Sequence, residues 1–460
     1  MRLIRRNGPL FISISLSLVF CCAFSFISLS RFWQYDAGYY DFGIFDRALW
    51  LASRFQKPII DHFIVGGKVI FADHFNPSIF ILSPLYWITS RQEIMLIAQS
   101  CFVAVSSVII YLTAYRLLKS HISALFVQII YVLSTPLHHG IFYDFHEVTI
   151  SVFFICLSYW FVATKRYKLL ILSVLVTLGF KESLSLWGIG LALWLLMHEK
   201  KRIIGLRILG ISLIWFVLAI FVVIPYANGG ASIYVSNMNP SSSFILDRMG
   251  GLFGNVLLLI ASSGFISVFG VDFYPLIALH FIPRMVNTLS QTMSLGLHYN
   301  AELVPTYTFM LIISIERMSR RFSIRPIYIV IFALSISLIS FYLYRGPLWL
   351  ARNMAYFNNT KNFEYITEGL RTIPQTSTVA AQNNLAGYLT HNKDVHILRD
   401  AYTLHDPDYV VFEIRDGQRA NNQSGISNIL KLNRTIEKDP AYELAMKNQG
   451  LYIYKKKSIE

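Results

Sequence analysis

Carboxylates stand out in the first long segment between apolar runs of this 460-residue sequence. Residues 31–93 hold Asp36, Asp41 and Asp46 at a spacing of five. A positioned carboxylate of this kind can act as a general base that takes a proton from an attacking hydroxyl. Five helical residues turn about 500°, so the three acids cannot all share one helix face. The alternative for each of the three acids is a solvated side chain that points to water.

Four further short stretches carry groups that could bind or orient a charged substrate: His74; Asp144, His146 and Glu147; Lys181 and Glu182; His298 and Tyr299. His298 beside the phenol of Tyr299 is a cation-capable group that phosphate could use, although the pair could equally belong to an interfacial belt. Lys181 is a charged residue that interrupts an apolar stretch, and such residues usually have a function. Less specific roles stay open, such as a helix cap for Glu147 or a salt-bridged turn at Lys181 and Glu182. Histidine and carboxylate also suit several divalent metals, but no spacing is diagnostic, so a metal is optional.

The elements that must position these groups are transmembrane helices. The chain is 55% hydrophobic and only 14% charged, whereas soluble domains are about 25% charged. We predict about 11 spans, since backbone groups in lipid must be paired internally, near 10–29, 94–114, 121–137, 148–163, 168–180, 183–197, 203–225, 252–270, 271–287, 301–316 and 326–344. The segment 40–53 is predicted to be a short amphipathic helix on the membrane surface.

Basic residues predict the orientation of these spans. After the amino-terminal arginines, they concentrate in four connections: Arg116 and Lys119; Lys165, Arg166 and Lys168; Lys200, Lys201, Arg202 and Arg207; Arg317, Arg320, Arg321 and Arg325. All four fall on one side if the amino terminus is cytoplasmic, as the positive-inside rule requires. The chain is then a multi-pass protein of the inner (plasma) membrane. The net charge of +14 reflects this topology, and no nucleic-acid partner is expected.

Residues 350–460 have the composition of a soluble domain, which the topology places outside the cytoplasm. Three short apolar segments read as buried strands: STVAAQ, VHIL and DYVVFEI. The segments 363–372, 385–390 and 426–432 are predicted helices between them, so a small α/β domain follows a transmembrane domain of residues 1–345. No phosphate-binding loop, dinucleotide fingerprint or nucleophile elbow is present, and the four cysteines are interpreted as packed apolar residues.

Six motifs in one order carry a resemblance to a known family: YDFGIFDRALW, ADHFNPSIFILSPLYW, YDFHE, FKES, HYNAELVP and VAAQNNLAGYLT. Together they resemble the prokaryotic membrane family called domain of unknown function 2079. That family is similar to the C-type glycosyltransferase superfamily. The resemblance covers nearly the whole chain and implies a C-type fold: an α-helical polytopic membrane protein with a small carboxy-terminal α/β domain.

The resemblance also implies sugar transfer from a polyprenyl-phosphate donor in the membrane lipid to an unidentified glycan, lipid or protein acceptor at the outer face. The acid expected early in the first outer loop falls on Asp41, with Asp46 and Asp36 as competitors. The motif YDFGIFD lacks the adjacent Asp-Glu pair that many members of the superfamily show. Two alternative functions remain: a transporter or lipid flippase, and a non-catalytic relative that binds lipid-linked glycans. The polar residues cluster on one face, which favours surface chemistry over passage through the membrane.

Overall fold

The computed structural model describes residues 2–62, 66–198, 202–230, 237–238 and 241–457. Lys200 and Lys201 of the third basic connection lie outside these ranges. The chain forms two compact units. The helical unit comprises Met1–Ile27, His74–Ile79 and Ile97–Ala351, and the α/β unit comprises Ser28–Asp73, Phe80–Leu96 and Arg352–Glu460. Each unit is therefore assembled from segments that are distant in sequence.

Every predicted apolar run overlaps a helix. The long helices are Arg2–Trp33, Glu93–Leu118, His121–Val132, Thr135–Phe142, Glu147–Thr164, Tyr167–Leu178, Leu184–His198, Arg202–Val217, Ser242–Ser262, Tyr274–Val286, Val304–Phe322 and Pro326–Tyr344. Arg202–Val217 continues through a π-helical segment, Leu218–Val223, into Ile224–Asn228. The predicted helical membrane architecture is confirmed.

Span length separates these helices into two groups. Among the described residues, six helices are long and apolar enough to cross a membrane, and a bent pair makes up to seven. The bend of 50° lies between His121–Val132 and Thr135–Phe142. Pro136 stands in the first turn of the second helix, where its ring and missing N–H prevent a continuous helix. Shorter apolar helices such as Tyr167–Leu178 account for only part of the difference from eleven, so the number of spans stays a prediction.

The first loop contains the predicted helix, and most residues of that helix are buried. A π-helical turn, Tyr39–Gly43, leads directly into an α-helix, Ile44–Ser53. Eight of the ten residues in Ile44–Ser53 are buried. Both faces of the helix are therefore covered by the protein, and its place on the membrane surface stays a prediction. Strands β1 (Ile59–His62) and β2 (Gly66–Val69) follow as an antiparallel pair, and a short helix, Leu85–Ile88, lies further along the loop.

A five-stranded sheet forms the centre of the α/β unit. Its strands are β3 (Thr378–Ala381), β4 (Asp394–Ile397), β5 (Tyr409–Glu413), β6 (Tyr442–Asn448) and β7 (Leu451–Lys456), in the spatial order β4-β3-β5-β7-β6. Strand β3 is parallel to β4 and to β5, as expected for strands joined through helical connections. Helices Met354–Asn358, Glu364–Arg371, Asn383–Ala386 and Ile429–Glu437 accompany the sheet. The three predicted strands are confirmed as β3, β4 and β5.

The hairpin of β6 and β7 is absent from the sequence-based interpretation. Its two-residue turn is Gln449-Gly450, and both residues have positive φ, 45° and 94°. Turns of this kind match the twist of the flanking strands. Tyr454 of β7 and Tyr442 of β6 join the buried cluster that also contains Phe412. β6 is a largely exposed edge strand. Charged residues in β6 and β7 interrupt the alternation of apolar and polar residues that predicts a strand.

Candidate functional site

The loop before helix Glu147–Thr164 is held by one buried amide. Gln99 donates from Nε2 to the carbonyl oxygens of Ile141 and Asp144, at 3.0 and 2.8 Å, and its Oε1 accepts from the His146 N–H at 2.9 Å. Asp144 has a φ of +52°, a conformation that aspartate tolerates better than most residues. Gln99 was missed by sequence reasoning, although a glutamine inside an apolar span is a signal of buried hydrogen bonding.

Two buried ion pairs join the predicted residues to one another. The Lys181 ammonium lies 3.0 Å from Glu147 Oε1, and His74 Nδ1 lies 2.9 Å from Glu182 Oε1. Burial would raise the pKa of Glu182, but His74 and then Lys181 hold it below its usual value. Burial would lower the pKa of Lys181, but Glu147 and Glu182 raise it. Lys181 therefore keeps its positive charge.

His298 lies close to several groups that can carry a positive charge. Its ring stacks on that of His146 with 3.5 Å between centroids. Burial is the main reason that the pKa of His298 is well below its usual value, and His146, Lys181 and Arg284 lower it further. Its Nδ1 is buried and has no hydrogen-bond partner among the described residues. An anion placed here would be stabilised by several cationic groups at once.

Arg284 completes the cationic side of the group. It lies in helix Tyr274–Val286 and donates from Nη1 to Asn300 Oδ1 at 2.9 Å. Its Nη2 lies 3.4 Å from Glu302 Oε1, which also pairs with His280 at 3.0 Å. Sequence reasoning missed Arg284 and Glu302 as site residues. A lone arginine inside a predicted span was the available signal, since intramembrane charges usually have a function.

These contacts define one polar cluster within the helical unit: His74, His146, Glu147, Lys181, Glu182, Arg284, His298, Tyr299 and Glu302. It contains every residue predicted to bind substrate except Asp144, whose backbone is held next to that of His146 by Gln99. The members come from four separate stretches of the chain and from the helix that carries Arg284. Convergence of so many buried charged groups is costly unless they pair or bind a ligand.

An apolar cavity of about 490 Å³ lies beside this polar cluster in the same unit. Helices Ser242–Ser262, Tyr274–Val286 and Val304–Phe322 line it with residues that include Leu252, Phe281, Met285 and Met310. The Arg284 guanidinium carbon lies 5.2 Å from the centroid of the Phe281 ring, so one cation touches the wall of the cavity. The unit thus offers a charged end and an apolar end to a single amphiphilic molecule.

The three acids of the first loop differ in their surroundings within the α/β unit. Asp36 pairs with Arg31 at 3.2 Å and with Arg419 at 2.7 Å. Asp46 is 1% exposed, and its carboxylate is surrounded by four partners: Tyr86, Gln92, Thr390 and His391. Such a carboxylate has no room for a substrate hydroxyl. Asp46 as the base, one of the competing predictions, is therefore disfavoured by its environment.

Asp41 is only partly buried and lies in the π-helical turn Tyr39–Gly43. Single π-helical turns are rare and are frequent at functional sites. Asp36 is also partly exposed, so the π-helical turn is the feature that distinguishes Asp41 from it. Its role as the base stays a prediction, as does its convergence with the polar cluster.

Replacement of Asp46 by asparagine is expected to destabilise the α/β unit by about 1–3 kcal/mol. Gln92 Nε2 and the Thr390 hydroxyl both donate to Asp46 Oδ2. An amide N–H₂ in place of that oxygen cannot accept these two hydrogen bonds. Thermal unfolding of the purified protein measures the loss. Asp416→Asn is the matched control, because Asp416 is exposed. Equal melting temperatures for the two variants would contradict a structural role for Asp46.

Comparison with known proteins agrees with this architecture. The family described as "Predicted membrane protein (DUF2079)" matches residues 31–453, and no curated protein matches the sequence. The structure is similar to that of ArnT from Cupriavidus metallidurans in the apo state, with a TM-score of 0.55, 11% identity and 98% of both chains covered. It is also similar to ArnT from the same organism bound to undecaprenyl phosphate, with a TM-score of 0.52, 12% identity and 97% and 98% of the two chains covered. The chain therefore shares the fold of these two ArnT structures.

Proposed function

Because the chain belongs to the DUF2079 family of predicted membrane proteins and has the fold of C-type glycosyltransferases, we propose that it is an integral membrane glycosyltransferase. The donor is a sugar linked to a polyprenyl phosphate, and the acceptor carries a hydroxyl group. The similar ArnT structure that contains undecaprenyl phosphate supports a donor lipid of this class.

The observation that carries this proposal is the contact between the polar cluster and the apolar cavity of the helical unit. A polyprenyl phosphate has a charged head and a long hydrocarbon tail. Lys181 and Arg284 suit the phosphate, since charge-assisted hydrogen bonds to phosphate are the strong ones. His298 adds a buried ring nitrogen that has no hydrogen-bond partner among the described residues. The cavity lined by Phe281 and Met285 suits the first isoprene units. One ligand of this chemistry accounts for both features.

The reaction follows from the roles of these groups. Asp41 takes the proton of the acceptor hydroxyl while the hydroxyl oxygen attacks the anomeric carbon. The bond between that carbon and the phosphate oxygen breaks, and its electron pair stays on the phosphate. The released polyprenyl phosphate gains one negative charge, which Lys181 and Arg284 stabilise. The position of Asp41 in a π-helical turn and its partial exposure support it as the base.

Consumption of lipid-linked sugars tests the proposal. Purified protein in lipid vesicles is incubated with a panel of polyprenyl-phosphate sugars and membrane extract as the acceptor source. We expect one donor to be converted to free polyprenyl phosphate with time. Tight retention of the lipids without turnover would favour the non-catalytic alternative. Movement of intact lipid between leaflets without cleavage would favour a flippase.

The chemistry is proposed for the extracytoplasmic face, and cysteine labelling tests this orientation. In a variant without its four native cysteines, Thr376→Cys is expected to react with an impermeant maleimide in intact cells. Ser323→Cys is expected to react only after permeabilisation, because four arginines surround its connection. Both positions are exposed, so burial does not confuse the result. The reverse pattern would invert the topology.

A further inference from the structure

A second group of potential ligands lies in the α/β unit and contains none of the residues assigned to the proposed transfer reaction. Asp61 of β1, His396 of β4 and His405 of a later turn each offer one ligand atom, and these atoms all lie within 4.8 Å of one another. The imidazole rings of His396 and His405 stack with 3.7 Å between centroids and 7° between planes. Among the described residues, these three side chains are the histidines and carboxylate whose ligand atoms lie close enough together to bind one metal ion.

The hydrogen bonds of His396 direct one ring nitrogen toward this group. Its Nε2 lies 3.0 Å from Asp394 Oδ2, so the N–H of that nitrogen donates to the carboxylate. Its buried Nδ1 has no hydrogen-bond partner among the described residues. A histidine that ligates a metal typically donates its other N–H to a carboxylate in this way. Asp394 thus orients the His396 ring so that Nδ1 lies on the side of Asp61.

The spacing between ligand atoms also fits a shared ion. His396 Nδ1 lies 3.7 Å from Asp61 Oδ2, which is too long for a hydrogen bond. Two ligand atoms at about 2.0–2.1 Å from a tetrahedral ion are separated by about 3.4 Å. A small movement of either side chain therefore brings His396 Nδ1 and Asp61 Oδ2 to the separation that is needed to bind one ion. His405 is the most exposed of the three ligands, so it can adjust.

The carboxylate of Asp61 is held in place by other groups. Arg399 donates to both of its oxygens at 2.8 Å, and the backbone N–H of Ile397 donates to Oδ2 at 2.8 Å. Arg399 competes with a cation for the same charge, and Arg47 lies 3.7 Å from Asp394. The electrostatics therefore favour an exchangeable ion over a permanent structural one. Three protein ligands leave a fourth position for water or another molecule.

We propose that Asp61, His396 and His405 bind a divalent transition-metal ion of the zinc class. Two imidazoles and one carboxylate are ligands that such ions prefer. The site belongs to the α/β unit and does not depend on the transfer reaction. It differs from the outer-loop stretches that the sequence suggested for an optional metal.

Zinc binding by the full-length purified protein tests the proposal. The protein is stripped with a chelator, titrated with Zn²⁺ against a competing fluorescent chelator, and analysed for bound metal. We expect about one Zn²⁺ per chain. His405→Ala and His396→Gln are each expected to weaken binding at least about tenfold, and Asp394→Asn about 10–100-fold. His121→Ala is the control for loss of a histidine elsewhere and should bind as wild type.

Several results would overturn the proposal. These are no stoichiometric zinc in the wild type, unchanged binding in His405→Ala, or loss of binding in His74→Gln instead. In each case His396 would be a cation between two carboxylates in a structural ion-pair network. His405→Ala is the decisive variant if His396→Gln fails to fold, because the His405 ring is the more exposed. Equal melting temperatures of the metal-free wild type and His405→Ala would show that the fold is intact.

Discussion

Asp41→Asn is expected to lower sugar transfer by about 10²–10⁴-fold, which corresponds to roughly 3–5 kcal/mol of activation barrier. Asparagine keeps the shape of the side chain but cannot accept the proton of the attacking hydroxyl. Binding of undecaprenyl phosphate should not change, because the base acts on the acceptor. Release of labelled sugar from the donor measures the rate, and retention of radiolabelled undecaprenyl phosphate measures binding.

Two further variants make this result specific. Asp36→Asn removes the competing acid that pairs with Arg31 and Arg419 and should leave most of the activity. Asp416→Asn removes an exposed acid and should have no effect. If Asp36→Asn lost the activity and Asp41→Asn kept it, the base would be Asp36. Retained activity in both variants would remove the first loop from the chemistry.

Arg284→Gln is expected to weaken binding of undecaprenyl phosphate by about 100-fold, or roughly 2.7 kcal/mol. The guanidinium supplies two parallel donors and a permanent charge to the phosphate, and glutamine supplies neither the charge nor the fork. Glu302 keeps its partner His280 at 3.0 Å, so the cluster retains a paired carboxylate. Equilibrium retention of radiolabelled lipid by the purified variants measures the change. Transfer should fall at least as much, because charge on the phosphate grows in the transition state.

The controls for Arg284 separate charge from geometry and from folding. Arg284→Lys keeps the charge but loses the fork, so binding should weaken by only about tenfold. Arg320→Gln removes a side chain that is 80% exposed and should bind the lipid as wild type. Unchanged binding in Arg284→Gln, with an unchanged melting temperature, would place the phosphate elsewhere. It would also remove the main support for the proposed function.

The membrane helices could be predicted from the distribution of apolar residues alone. Long apolar runs become helices because lipid offers the backbone no other hydrogen-bond partner, and each predicted run overlaps an observed helix. The strands β3, β4 and β5 are likewise evident, because buried parallel strands form short continuous apolar runs. The exposed hairpin β6–β7 carries no such signal.

Local pattern could identify polar residues but not their partners. Glu147 was compatible with a helix cap and Lys181 with a turn, and only folding shows that the two form an ion pair at 3.0 Å. His74 and Glu182 are 108 residues apart in sequence, so no spacing rule could pair them. Arg284 was hidden inside an apolar run, where its charge matters only because Asn300 and Glu302 face it.

The division between sequence and tertiary structure is clearest for the first-loop acids. The sequence by itself determined that three acids lie near a short helix and that none shares a face with both others, because helical periodicity is local. It could not rank them, because their chemistry is identical and their environments are made by distant residues. Tyr86, Thr390 and His391 enclose Asp46, while Asp41 stays partly exposed in a π-helical turn. Only tertiary packing decides this, since a carboxylate is a structural ion pair or a possible base according to the groups that surround it.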